Sequence, residues 1–115
     1  FSGLPVIRCG NSHYHSDCAE PLTATLDKAL AEAEAGVVVL DMSGVRLFSS
    51  SALRAVRAVH MRAVEREGRI VAASGGELAV SVLKFAPFIR HFETVVEALE
   101  QYSPDAARAF AKAEG

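Results

Sequence analysis

Residues 37 to 53 read VVVLDMSGVRLFSSSAL. Val37 to Leu40 run without polar alternation, the mark of a strand buried on both faces in a parallel sheet. The run stops at Asp41 and turns through Ser43 and Gly44. It then spends three hydroxyls, Ser49, Ser50 and Ser51, just before Leu53, Val56, His60, Ala63 and Val64, whose three- and four-residue spacing predicts a helix. Arg54, Arg57, Arg62, Glu65 and Arg66 fall on the wetter sides of that helix, and Gly68 is a suitable stop. RIVAAS (69 to 74) is the next strand. Residues 37 to 74 therefore predict a βαβ unit with a right-handed crossover.

The same alternation extends in both directions. Upstream, LPVIRC (4 to 9) is a short strand and GNSHYHSD (10 to 17) a loop of turn formers. From Asp17, Leu22, Leu26, Ala29, Leu30 and Ala33 recur at helical spacing, with Pro21 tolerated in the first turn and Gly36 closing the element. Downstream, GGELAVSVLKFA (75 to 86) predicts a shorter helix interrupted by Pro87, and FIRHFET (88 to 94) holds at most a short strand. Val95, Val96 and Leu99 belong to another helix ending near Ser103-Pro104. In PDAARAFAKAEG (104 to 115) the proline suits a helix start, but Phe110 is the one large apolar anchor, so a loosely docked helix or mobile tail is expected. The expected fold is α/β: one domain over residues 1 to 103 and the tail over 104 to 115. Its mostly parallel sheet of about four strands has helices chiefly on one side.

Composition narrows the function classes. A chain of 115 residues, half of them apolar, suits a single core. The formal net charge of −2 argues against a nucleic-acid partner, which calls for a basic surface stripe. No apolar run approaches the roughly 20 residues of a membrane span, and no leader pattern opens the chain, so it reads as cytosolic, with no membrane partner. It begins at Phe1 rather than Met, which reads as a processed or trimmed start. Two cysteines do not make a disulfide framework.

Enzymatic motifs are sparse. SGGE (74 to 77) is too short for a dinucleotide fingerprint or a Walker-type phosphate loop. None of the three serines has glycine two residues before and after it, as a nucleophile elbow needs. Cys9, His13, His15 and Cys18 supply four potential metal ligands within ten residues, but they lack the paired spacing of zinc knuckles. They are read as loop histidines and reduced, half-buried thiols that bind no metal. His60, on the apolar side of its helix, is read as a packed core histidine.

The serines admit two readings. One of them suffices as a helix N-cap, worth about 1 kcal/mol. A phosphate on a first-turn serine would be held by the free N–H groups and the helix dipole, assisted by Arg54.

The stretch VVVLDMSGVRLFSSSALRAV (37 to 56) resembles the central motif of the STAS-domain family, especially its bacterial anti-sigma-factor antagonists. In that group a buried strand ends in Asp-Leu-Ser, and Asp-Ser-Ser-Gly-Leu opens the next helix. Asp41-Met42-Ser43 matches the first part and Ser49 to Leu53 the second, so the resemblance implies phosphorylation at Ser50, with Ser51 and Ser49 as fallbacks. EREGRIVAAS (65 to 74) and TVVEALE (94 to 100) extend the similarity over most of the chain. Ser49 stands where the family has Asp, and Ala52 where it has Gly.

The resemblance implies a non-catalytic switch. Unphosphorylated, the chain would bind an anti-sigma factor with serine-kinase activity and free a sigma factor; phosphorylated, it would let go, with a phosphatase as a further partner. ATP and Mg²⁺ would belong to the kinase, leaving this chain no cofactor. The implied partner surface is Ser43, Gly44, Arg46, Ser49, Ser50, Ser51, Ala52 and Arg54, with Leu47 and Phe48 either exposed to the partner or sealing the core. The alternative is a STAS-like interaction or ligand-sensing module, never phosphorylated, that works through residues 10 to 18. A small enzyme using His13, His15 or the cysteines is a weaker third.

Overall fold

The computed structural model describes residues 4–9, 13–14, 18–33, 36–84 and 89–114. In chain order the elements are β1 (Val6–Arg8), β2 (His13–Tyr14), α1 (Ala19–Glu32), β3 (Val37–Asp41), β4 (Leu47–Phe48) and α2 (Ser50–Glu65). They are followed by β5 (Arg69–Ala73), α3 (Gly76–Leu83), β6 (His91–Phe92), α4 (Val95–Tyr102) and α5 (Pro104–Glu114). As expected, β3 is buried at every position. It lies inside a four-stranded sheet of order β1-β3-β5-β6, all of whose pairings are parallel. The central register sets Val37 beside Arg69 and Asp41 beside Ala73.

Because side chains alternate along a strand, each central strand feeds two cores. Val38, Leu40, Ile70 and Ala72 face one side, where Leu22, Leu26 and Ala29 of α1, Ala52, Val56 and Val59 of α2, and Ala79 of α3 cover them. Val37, Val39, Val71 and Ala73 face the other, under Val95, Ala98 and Leu99 of α4 and Ala106, Ala107 and Phe110 of α5. Among the described residues, three helices thus cover one face and two the other. The four-stranded parallel α/β architecture is the one expected.

The C-terminal segment differs from expectation in how it docks. Ala106 and Ala107 are buried beside Phe110, so α5 is held by three residues rather than one. Alanines let the helix backbone approach the sheet closely, an anchoring that a search for large apolar side chains overlooks. Ser103, a half-buried linker residue, accepts the N–H of Ala106 through its hydroxyl at 3.2 Å and caps this helix. Helix α3 ends at Leu83, and Pro87, read as its interruption, lies outside the described residues.

Two further contacts fix α2 against the sheet. Gly68 follows the helix, and a β-carbon there would meet the carbonyl oxygen of Gly36 at 2.6 Å, so the chain needs glycine for this close backbone approach. His60, buried on the inner side of α2, accepts the N–H of Ile70 at Nδ1, 3.1 Å away. The imidazole therefore satisfies a sheet N–H, as a packed core histidine should.

Candidate functional site

The carboxyl ends of parallel strands and the amino ends of the helices that follow them share one edge of an α/β sheet, and there the motif residues gather. Asp41 ends β3 with only 3% of its surface exposed. Its Oδ1 accepts the N–H of Ser43 at 3.0 Å, and its Oδ2 lies 3.5 Å from Nε of Arg8 on the neighbouring strand. A buried carboxylate is costly unless so partnered. The sequence marked Asp41 only as a strand end; its clue was a lone acid at the end of an aliphatic run.

The turn that follows is closed by the Val45 N–H donating to the Met42 carbonyl at 3.2 Å. Gly44 occupies its third position at φ +84°, where a type II turn requires a left-handed residue. A β-carbon on Gly44 would meet nothing within 4 Å, so conformation rather than space selects the glycine. Ser43, Gly44 and Arg46 are exposed, whereas Val45 returns to the core.

Strand β4 then decides the fate of two apolar residues. Leu47 is 41% exposed, while Phe48 packs against the core and meets the Tyr14 ring at a centroid distance of 5.3 Å. The pair therefore divides between the two readings: Phe48 seals the core, and Leu47 stays at the surface. β4 pairs in parallel with β2, setting Tyr14 beside Phe48, and the Ser49 N–H continues the ladder to the Tyr14 carbonyl at 2.7 Å. This small second sheet fixes where α2 begins.

The three serines have distinct positions. Ser49 is the N-cap: in extended conformation, it accepts the Ala52 N–H through Oγ at 3.1 Å. Ser50 is the first helical residue and is exposed; Ser51 is half-buried. With the Ala52 N–H occupied by the cap, the N–H groups of Ser50 and Ser51 lie at the positive end of the helix, where intrahelical acceptors are lacking. Arg54, one turn later, is exposed. Ala52 differs from expectation: it is fully buried on the core face of α2, so its side chain is not part of the surface.

The Cys/His group behaves differently. Cys9 is buried directly after β1, donates its N–H to the Asp41 carbonyl at 3.0 Å, and has its thiol pushed up to about 11. Burial is the main cause, reinforced by the Asp41 charge and opposed by a hydrogen bond with Tyr14. Such a thiol is protonated and unreactive near neutral pH. Cys18 is half-buried at the start of α1 and provides no side-chain cap. His13 pairs through its backbone with Leu47, and His15 lies outside the described residues. Among the described residues no three His, Cys, Asp or Glu side chains gather to hold a metal ion. Nor is any helix among them long and apolar enough to cross a membrane.

Known proteins place this arrangement. Residues 12–84 match a family model described as "Mlab, STAS domain". Among solved structures, the chain is similar to an anti-sigma-factor antagonist (STAS) domain protein from Planctomyces limnophilus, with TM-score 0.67, 23% identity, and 78% of this chain and 80% of that one covered. It is also similar to a sulfate transporter family protein from Wolinella succinogenes, with TM-score 0.69, 18% identity, and 96% and 88% covered. A third likeness is to the Bacillus cell fate determinant SpoIIAA in its phosphorylated form, with TM-score 0.62, 20% identity, and 88% and 92% covered. No curated protein matches the sequence. At these identities the structural likenesses speak to fold, whereas the family match spans the motif, α1, α2 and β5 together; the chain belongs to the STAS-domain family.

Proposed function

We propose that the chain is an anti-sigma-factor antagonist of a partner-switching pathway, which binds an anti-sigma factor with serine-kinase activity and is released when Ser50 is phosphorylated. The observation that carries this reading is the division of labour at the start of α2. Ser49 performs the capping, so the exposed Ser50 hydroxyl is not needed to hold the helix. A phosphate there would carry nearly two negative charges, stabilised in the free chain by the helix end and Arg54. Binding a partner would require this charge to be desolvated or set against the partner's own acids, at a cost of several kcal/mol. Release thus asks no catalysis of this chain. The docking surface in this reading is Ser43, Gly44, Arg46, Leu47, Ser50, Ser51 and Arg54.

A second reading is favoured by the replacement of the motif's Asp and Gly by Ser49 and Ala52. In it the same edge docks a partner within a larger assembly and is never modified. Incubation of the chain with candidate anti-sigma-factor kinases and ATP, followed by tandem mass spectrometry of its peptides, separates the two. Stoichiometric phosphate on Ser50 supports the switch. Phosphate on Ser51 or Ser49 instead would move the switch to that fallback, and none with kinases active on their own antagonists leaves the unmodified docking module.

A further inference from the structure

Ser50 does not stand alone on its helix face. At 3.6 residues per turn, Arg54, Arg57, Met61 and Val64 follow it along one stripe, opposite the buried row of Ala52, Val56, Val59 and Ala63. Met61 is 50% and Val64 49% exposed, which makes them two of the four large apolar residues that remain open to solvent among the described residues. Ser50, Arg54 and Arg57 are exposed as well. The stripe leads into a cleft of about 190 Å³, lined in part by Val64, Arg69 and Arg90. The Arg90 guanidinium is held there 4.8 Å from the centre of the Phe92 ring. Helix α2 with its C-cap carries four arginines against one glutamate, in a chain whose net charge is −2. Of these four, Arg54 and Arg57 lie on the stripe, whereas Arg62 turns to Asp27 of α1, 2.9 Å away; Arg69 and Arg90 at the cleft add to the basic character of the stripe.

We infer that the outer face of α2 from Ser50 to Val64, together with the Arg69–Arg90 cleft, is one continuous docking surface for an acidic amphipathic helix of a partner protein. The inference rests on the proposed docking role of the helix start and extends it about 16 Å to Met61, at 1.5 Å rise per residue. Apolar side chains of the partner would cover Met61 and enter the cleft beside Val64, while its carboxylates would meet Arg54, Arg69 and Arg90. A phosphate on Ser50 would then act twice, repelling the partner's acids and drawing Arg54 away from them. A lipid surface fits less well, because two half-exposed apolar residues offer little area for insertion into a bilayer.

The test uses the isotopically labelled full chain and a synthetic amphipathic peptide with leucines at helical spacing and glutamates elsewhere. Amide shifts on titration should cluster at Arg54, Arg57, Met61, Val64, Arg69 and Arg90. Met61→Glu, at an exposed position that should fold normally, should weaken binding about tenfold, as should dispersing the leucines at constant composition. Weakening by Met61→Glu with Ser50→Asp neutral would support the extended surface and sink the Ser50 switch. Weakening by Ser50→Asp with Met61→Glu neutral would overturn the extended surface and leave docking at the helix start. The inference is also overturned if the peptide fails to bind at millimolar concentration, if its footprint lies elsewhere, or if the dispersed peptide binds equally well. Two further results would overturn it: preference for vesicles of equal parts phosphatidylglycerol and phosphatidylcholine, or self-association through this face.

Discussion

Ser49 accepts the N–H of Ala52 at 3.1 Å, and Ala52 in turn is fully buried in the core. The cap is therefore tied to a residue that cannot move without disturbing the packing of α2 on the sheet. Ser50, one position on, is exposed and outside this bond. Ser49→Ala should lower stability by about 1 kcal/mol in urea denaturation, and Ser50→Ala should stay within about 0.5 kcal/mol of wild type. Equal costs at the two positions would mean that the capping role is shared.

Asp41 joins β1 to the turn that carries Ser43 and Arg46. Asp41→Ala removes the acceptor for the Ser43 N–H and the partner of Arg8, and should cost about 1–3 kcal/mol. Faster hydrogen exchange at Ser43 than in wild type would locate the damage. Asp41→Asn keeps an oxygen in place and should lose less.

His60 gives the stability of the fold a pH dependence. Burial is the first cause lowering its pKa from the ordinary 6.5, followed by the Arg69 charge. The unfolded chain therefore binds the proton more readily. The contribution is fully present above about pH 6.5 and is lost as pH falls through the lower folded value. His60→Asn, which can still offer an acceptor to Ile70, should flatten the decline of stability below pH 6.5 relative to wild type. An unchanged slope would place the imidazole's proton elsewhere.

Deletion of residues 104–115 strips the cover of Ala106, Ala107 and Phe110 from the second core. The shortened chain should show a clear drop in its denaturation midpoint, and Phe110→Ala alone should cost about 3 kcal/mol. A midpoint equal to wild type would show that α5 contributes nothing to the fold.

The sequence was most informative where the signal was local. The aliphatic run of β3, the helical spacing of α2 and the glycine at residue 68 each carry their meaning within a few residues, and each element formed as read. The small sheet was not legible, because β2 and β4 are two residues each and pair across more than thirty positions. No period can be read from two residues. The docking of α5 was obscured for another reason: buried alanines leave no hydrophobic anchor to find. At the site, the sequence offered one cap among three serines without saying which, and the structure gives that role to Ser49; likewise only packing could separate Phe48, turned in against Tyr14, from Leu47, left at the surface.

Arg46 and Arg54 are exposed on the same edge as Ser50. Charge reversal at either should slow association with an acidic partner and weaken its salt dependence, with stability changed by less than about 0.5 kcal/mol. Stopped-flow measurements over a range of ionic strength would check both. Rates that match wild type at low salt would remove these arginines from the encounter surface.

The most direct test of the proposed switch is calorimetric titration of the anti-sigma-factor partner with wild type, Ser50→Ala and Ser50 phosphorylated to completion. Ser50→Ala should bind like wild type, and the phosphorylated chain at least tenfold more weakly, since about 1.4 kcal/mol of repulsion or desolvation suffices for that factor. Equal affinity of the phosphorylated and unmodified chains would contradict the switch at Ser50.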